Sequence, residues 1–380
     1  MCRRVGVALV ALGVAGSGPL VGQRYWDHTF APGGYYSITD GFWLGAYGRV
    51  FSPVIGVRDR PEPHLAWVDL RGGASTEGSF FVNIEAQAPA WWEGWRLALL
   101  LTHQRQNRLG YYGLGNATVF SADSVGVARP YFYRVSRTTT AARASLQRRV
   151  VGPLRVLAGV TLSRTDHRDL PGETLFERHL ATGALDSDDI PFVDAAVRAG
   201  IVVDTRDHEI DPHSGVFLEG LYTTGKGYRR VTGSARVYLR PAPKLFLAAR
   251  IAGETVSGGA PLAVLGVLES SENPVVAVGG YQSLRGYRPG RFTGPDKLLA
   301  GLEVRYAVVL APPYEVKLFA FYDLGRVFST TEAFRLGTDG LHGGGGGGGA
   351  ARIGRNSLLV IGAGFTAEGW DLLFETRWSY

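Results

Sequence analysis

Along most of this chain, apolar and polar residues alternate one by one, in short runs separated by turn residues. Asp194 to Asp204 is the clearest run. Asp194, Ala196, Arg198, Gly200, Val202 and Asp204 fall on one face, and Ala195, Val197, Ala199, Ile201 and Val203 fall on the other. A β-strand has a side-chain period of two, so one face is apolar throughout while the other carries the charge. Leu299 to Tyr306 repeats the pattern, with Gly301, Glu303 and Arg305 set against Leu302, Val304 and Tyr306. Val316 to Phe328 does so again, with Lys317 and Asp323 on one face. In water such strands belong to a half-buried sheet. In an outer membrane they have lipid on one face and an aqueous lumen on the other.

Connections decide between the two. Tight turns are expected at Arg60-Pro61-Glu62-Pro63, Gly152-Pro153, Pro241-Ala242-Pro243 and Pro312-Pro313. Between them lie long polar stretches, about Leu109 to Val135, Thr165 to Pro191, Gly258 to Asp296 and Ser329 to Arg355. Long loops alternating with short turns are the plan of a transmembrane β-barrel with its short turns in the periplasm, whereas structureless loops of that length are suspect in a compact soluble domain. Gly343 to Gly349 has no side chain to pack and reads as a mobile external loop. Trp91, Trp92 and Trp95 fit a periplasmic aromatic girdle.

At roughly 22 residues per strand and connection, the chain holds about sixteen strands. A direct trace finds fifteen segments, from Gly33–Thr39 to Asp371–Tyr380. Single-chain bacterial barrels normally have an even number. Either a strand near Arg24 to Phe30 is missed, or the last strand is missing. The fold class is therefore all-β, a transmembrane antiparallel barrel, and one barrel domain spans residues 23–380.

Residues 1–22 read as a signal peptide. Arg3 and Arg4 precede the apolar run Val5 to Val14, and Gly16, Ser17, Gly18 and Pro19 follow. The run is far shorter than the ~20 residues of a spanning helix. These features place the protein in the bacterial outer membrane, in contact with outer-membrane lipid. Cys2 is the only cysteine and leaves with the signal, so the mature chain has no disulfide and no thiolate ligand. The net charge of +6 is carried by arginine, since lysine occurs only at 226, 244, 297 and 317. No clustered basic stripe with stacking aromatics accompanies it, so no nucleic-acid partner is expected.

Phe321, Asp323 and Gly325 are spaced by two and share a face. A carboxylate facing lipid is costly, so that face is the lumen. Such a carboxylate needs a cationic partner, and an arginine can bind it with two parallel hydrogen bonds.

Five motifs in order resemble those of the BamA/TamA superfamily, the bacterial surface antigen barrels. Gly279-Gly280-Tyr281-Gln282-Ser283-Leu284-Arg285-Gly286-Tyr287, followed by Gly290-Arg291-Phe292, resembles the family's sixth-loop signature. Phe321-Tyr322-Asp323-Leu324-Gly325 is similar to its F-x-D-x-G strand, and Gly301-Leu302-Glu303-Val304-Arg305 to its lumen-facing acidic strand. Asp204-Thr205-Arg206-Asp207 with Pro212 and Gly215, and Tyr111-Tyr112-Gly113-Leu114-Gly115-Asn116, resemble two further family phrases. The resemblance implies sixteen strands and a sixth extracellular loop folded into the lumen. It implies that Arg285 meets Asp323, with Glu303 as the alternative acceptor and Leu284, Gly286, Tyr287, Gly325 and Arg305 around them. It further implies a role in inserting or translocating unfolded outer-membrane or secreted proteins.

The sequence departs from the family in two ways. Periplasmic POTRA domains commonly precede the family barrel, but here little more than ten residues separate the signal from the first candidate strand. A separate POTRA-type protein is therefore the expected partner. Four strands follow the acidic strand in the family, where three are traced here, so Asp371 to Tyr380 reads as a penultimate strand.

The alternatives are a passive or secretory pore, and an enzyme on a barrel scaffold. The chain contains no Gly-x-Ser-x-Gly elbow, phosphate-cradling loop or H-E-x-x-H. No enzymatic activity and no cofactor are expected. His208, Glu209, Asp211 and His213 read as a solvated turn rather than a metal site.

Overall fold

The computed structural model describes residues 8–10, 26–37, 39–53, 61–272, 274–276, 278–311, 314–329, 332–353 and 357–380. Sixteen antiparallel strands follow one another as a meander. They are β1 Asp27–Ser37, β2 Gly41–Pro53, β3 His64–Ser75, β4 Phe80–Trp92, β5 Trp95–Gly110, β6 Arg134–Val151, β7 Leu154–Arg168 and β8 Phe192–Asp204. Then come β9 Gly215–Gly225, β10 Tyr228–Ala242, β11 Leu245–Gly258, β12 Asp296–Ala311, β13 Tyr314–Phe328, β14 His342–Ile353, β15 Ser357–Thr366 and β16 Gly369–Glu375. A three-residue strand, Ala8–Val10, pairs with the outer edge of β1. Among the described residues no ladder joins β1 to β16, and the sheet is not closed. Apart from Ala8–Val10, the expected signal segment lies outside the described residues, as does the Pro312-Pro313 turn.

Alternation sets which face is which. In β8, Val197 is 54% exposed and Arg198 only 5%. In β12, Leu302 and Val304 point outward while Glu303 and Arg305 are buried inside. The outer apolar face is the surface a barrel turns to lipid, and the charges line its interior. No helix among the described residues is long and apolar enough to cross a membrane.

Two expectations are corrected together. Gly343 to Gly349 is not a mobile loop but the body of β14, in register with Leu318–Leu324 of β13 and Ile361–Thr366 of β15. Glycine is needed because the backbones crowd. A Cβ on Gly346 would lie 2.0 Å from the Ala363 carbonyl oxygen, and one on Gly348 2.1 Å from that of Ile361. Phe321 and Tyr322 of β13 overhang the strand and supply the missing side-chain cover. Once β14 is counted, four strands follow Glu303. Asp371 to Glu375 then belongs to the sixteenth strand, not the penultimate one, and the first segment extends back to Asp27.

The short connections 93–94, 152–153 and 243–244 lie at one end of the sheet, together with the start of β1 and the end of β16. The other end carries the long loops 111–133, 169–191, 259–295 and 329–341. The 259–295 connection is the sixth on that side.

Candidate functional site

The sixth long-side loop turns into the barrel. Its tip is a compact hairpin held by Phe292 N–H to Val278 O (3.0 Å), Gly280 N–H to Tyr287 O (3.0 Å) and Ser283 N–H to Gly280 O (3.1 Å). Gly279 and Gly280 adopt φ of 120° and 104°, which L side chains rarely adopt. Leu284 is fully buried and packs with Val278, Tyr287, Phe292, Leu299 and Val327. Gly325 makes room for it, since a Cβ there would lie 3.5 Å from Leu284 and 2.9 Å from Leu299. Tyr287 stands edge-on to Phe292 at 5.3 Å. Gly286, with φ of 92°, lies against the backbone of Gly364 and Phe365, where a Cβ would come within 3 Å.

This seat presents Arg285 to the wall. Its Nε donates to Asp323 Oδ2 at 2.6 Å and its second terminal nitrogen to Asp323 Oδ1 at 3.0 Å. Its backbone N–H also reaches Asp323, at 3.2 Å. The other terminal nitrogen pairs with Glu303. The guanidinium lies 3.7 Å from the Phe321 ring centre. Burial works against the charge, but Glu303 and Asp323 hold the guanidinium pKa above its ordinary range. Glu303 in turn accepts from Arg305 Nε at 2.7 Å. All the residues expected at the site, Leu284, Arg285, Gly286, Tyr287, Glu303, Arg305, Asp323 and Gly325, thus meet in one buried cluster.

Sequence reasoning missed three parts of it. Tyr380, beyond β16, turns inward, and its hydroxyl accepts from Arg285 at 3.1 Å. Arg250 of β11 donates to the carbonyls of Gln282 and Ser283 at 2.8 and 2.7 Å. The inward alternation of Phe246, Ala248, Arg250, Ala252 and Glu254 carries the signal for it.

The third part is an opposite anchor earlier in the same loop. Glu269 pairs with Arg143 and Arg198 at 2.7 and 2.9 Å, and Glu272 with Arg206 and Arg236 at 2.8 and 2.7 Å. The loop therefore offers acids to basic side chains on β6, β8 and β10 and in the β8–β9 turn, and a base to the acidic wall of β12–β13.

The turn between β8 and β9 is not solvated as expected. Asp211 is buried and accepts from Trp378 Nε1 at 2.7 Å and Lys317 Nζ at 2.5 Å. Burial pushes its carboxyl up, but His213 and Lys317 outweigh this and hold it well below its usual range. Asp211, His213 and Glu315 converge closely enough to suggest a cation site. The Lys317 ammonium already occupies that position, 3.0 Å from Glu315. The cluster reads as a salt-bridged plug at the short-turn end.

Comparison with known proteins follows from this geometry. A family model described as Omp85 superfamily domain matches residues 70–355. No curated protein matches the sequence. Among solved structures, BamA from Haemophilus ducreyi lacking POTRA domains 1–3 is similar at 14% identity and a TM-score of 0.55, covering 97% of this chain and 74% of that one. CdiB from Escherichia coli is similar at 11% identity and a TM-score of 0.55, covering 98% and 65%. CdiB from Acinetobacter baumannii gives 12%, 0.53, 97% and 65%. The chain thus spans about two thirds of the CdiB chains. At these identities the likeness is one of fold, and the BamA/TamA-type barrel read from the motifs agrees with it.

Proposed function

Because the chain belongs to the Omp85 superfamily, we propose that it inserts or translocates other proteins at the outer membrane, with the buried loop as its internal lock. The observation that carries this reading is Arg285, drawn from a long external loop into the lumen and enclosed by Asp323 and Glu303. A loop anchored on both walls holds β12 and β13 fixed against β6, β8 and β10. Among the described residues the edges at β1 and β16 share no ladder, and the β1 edge is covered only at Gly33–Tyr35, by Ala8–Val10 of the proposed signal. The remaining unpaired edge groups cost several kcal/mol each in lipid, so they attract an incoming strand of an unfolded client. The proposed division of labour is a rigid locked wall opposite a weak seam.

A passive pore is the less favoured reading, because the loop tip and the residues after β16 pack against β11–β13 and confine the open lumen to a cavity of about 1070 Å³ that reaches across to β2–β5. Export by a signal cleaved near residue 22, and recruitment by a separate POTRA-type protein, complete the proposal. N-terminal sequencing of outer-membrane fractions tests the first, and pull-down of a periplasmic POTRA protein tests the second. The activity itself is tested by folding of an unfolded outer-membrane protein into vesicles containing the purified chain. Faster folding with wild type than with Arg285→Ala supports the proposal, and equal rates with and without the protein refute it.

A further inference from the structure

The lipid-facing surface of β5–β8 has a row that breaks its apolar pattern. His103, Thr140, Arg164 and Val193 are successive cross-strand partners, all exposed on the outer face toward the long-loop end. His103 Nδ1 and Thr140 Oγ1 lie 2.8 Å apart. The next row toward the short-turn end is Leu101, Ala142, Leu162 and Ala195, alternately large and small. The two alanines leave furrows beside the leucines, and the surface forms a groove of about 1070 Å³ that also takes in Val82, Ile84 and Lys226.

The exposed charges of this groove stand at its rim; Asp194, also in its lining, is buried and accepts from the Lys226 backbone N–H and the Tyr228 hydroxyl, each at 2.8 Å. Arg164 follows Leu162 on the outer face of β7, and Lys226 stands exposed just after β9. Neither forms an ion pair among the described residues. Lys226 Nζ instead lies 5.8 Å from the Phe192 ring. This differs from the lumen, where Arg143, Arg198, Arg206, Arg236 and Arg285 each have a carboxylate. A cation at the edge of an apolar bilayer-facing surface extends to the headgroup level and is stabilised there by anionic lipid.

We propose that this groove is a specific site for an acyl lipid with an anionic, phosphate-bearing headgroup in the outer leaflet. Its chains lie in the furrows over Ala142 and Ala195, and its phosphate sits between Arg164 and Lys226, with the His103–Thr140 pair alongside. Charge complementarity selects this occupant. A free phosphate leaves the furrows empty, and a zwitterionic lipid sets its own cation against Arg164.

The test is native mass spectrometry of the full chain released from detergent with dioleoyl phosphatidic acid, dioleoyl phosphatidylcholine or inorganic phosphate. Wild type is expected to retain phosphatidic acid in preference to phosphatidylcholine, and millimolar inorganic phosphate is expected not to displace it. Arg164→Gln with Lys226→Gln is expected to weaken retention roughly thirtyfold. Arg148→Gln with Arg149→Gln, at the short-turn end of β6, is expected to leave it unchanged. Arg164→Lys with Lys226→Arg keeps both charges and is expected to bind as wild type, so a loss specific to the neutral pair is read from folded protein. Equal loss in the Arg148 and Arg149 variant overturns the proposal in favour of general annular attraction. Full displacement by inorganic phosphate overturns the acyl part, and unchanged retention in the Arg164 and Lys226 variant overturns the site.

Discussion

Removing Arg285 is predicted to be more damaging than removing Asp323, although the two are partners. Asp323 is fully enclosed, and Arg285 supplies its three hydrogen bonds, from Nε, a terminal nitrogen and the backbone N–H. Arg285→Ala leaves the buried carboxylate with one backbone hydrogen bond and no hydrogen-bonded cation, a change that costs about 3–5 kcal/mol. Asp323→Ala leaves Arg285 still paired with Glu303 and bonded to Tyr380. Its cost is that of lost charge-assisted hydrogen bonds, about 1.5–3 kcal/mol. The double variant has neither the orphaned carboxylate nor the pair, because Glu303 keeps Arg305. It is predicted to be more stable than Arg285→Ala alone, so the coupling exceeds the Asp323→Ala cost and is about 3 kcal/mol. Urea unfolding of vesicle-refolded protein measures the global cost. Hydrogen exchange of the Leu284 to Tyr287 amides measures opening of the loop alone. Equal losses in both single variants with strictly additive effects would refute this assignment of partners.

Three further predictions follow from the same geometry. Leu302→Arg places a charge on the lipid face of β12 and is expected to cost roughly 2–4 kcal/mol near the bilayer midplane, read by urea unfolding in vesicles. Gly346→Val drives a side chain into the Ala363 carbonyl, so refolding yield on heat-modifiable gels should collapse, whereas Gly349→Ala, with only the Lys317 carbonyl at 3.8 Å, should refold. Asp211 has a depressed pKa, so its stabilisation is fully present above the ordinary aspartate value of about 3.9 and is lost as pH falls through the lower folded value. Trp378, bonded to Asp211, is therefore expected to stay docked down to about pH 4 and to shift its fluorescence only in stronger acid; release near neutral pH would contradict the assignment.

How much of this was legible in the sequence depends on whether a side chain carries the signal. Val197 and Arg198, or Leu302 and Glu303, declare their faces by alternation, because lipid and lumen demand opposite chemistries. Gly343 to Gly349 has no side chains to alternate, so its strand is visible only through its register with Phe319, Phe321 and Ile361. That one omission produced the count of fifteen and the misplaced last strand. At the site, Asp323 was assigned to the lumen by its spacing from Phe321 and Gly325, and Arg285 was named as its partner through the resemblance of its loop to the family's sixth-loop signature. Tyr380 was missed because nothing local to Arg377-Trp378-Ser379-Tyr380 tells an outward aromatic from one that turns back over Arg285. Glu269 and Glu272 were missed for a related reason. A loop has no period, and their arginine partners are distant in sequence, on β6, β8 and β10 and in the β8–β9 turn.

The central claim, that a locked barrel drives insertion or translocation of other proteins, is tested most directly by the rate at which an unfolded outer-membrane protein folds into vesicles containing the purified chain. The account predicts faster folding with wild-type protein than in empty vesicles, and loss of that acceleration with Arg285→Ala although the variant barrel still migrates as folded on heat-modifiable gels. A client that folds equally fast in empty vesicles, in wild-type vesicles and in Arg285→Ala vesicles would contradict it.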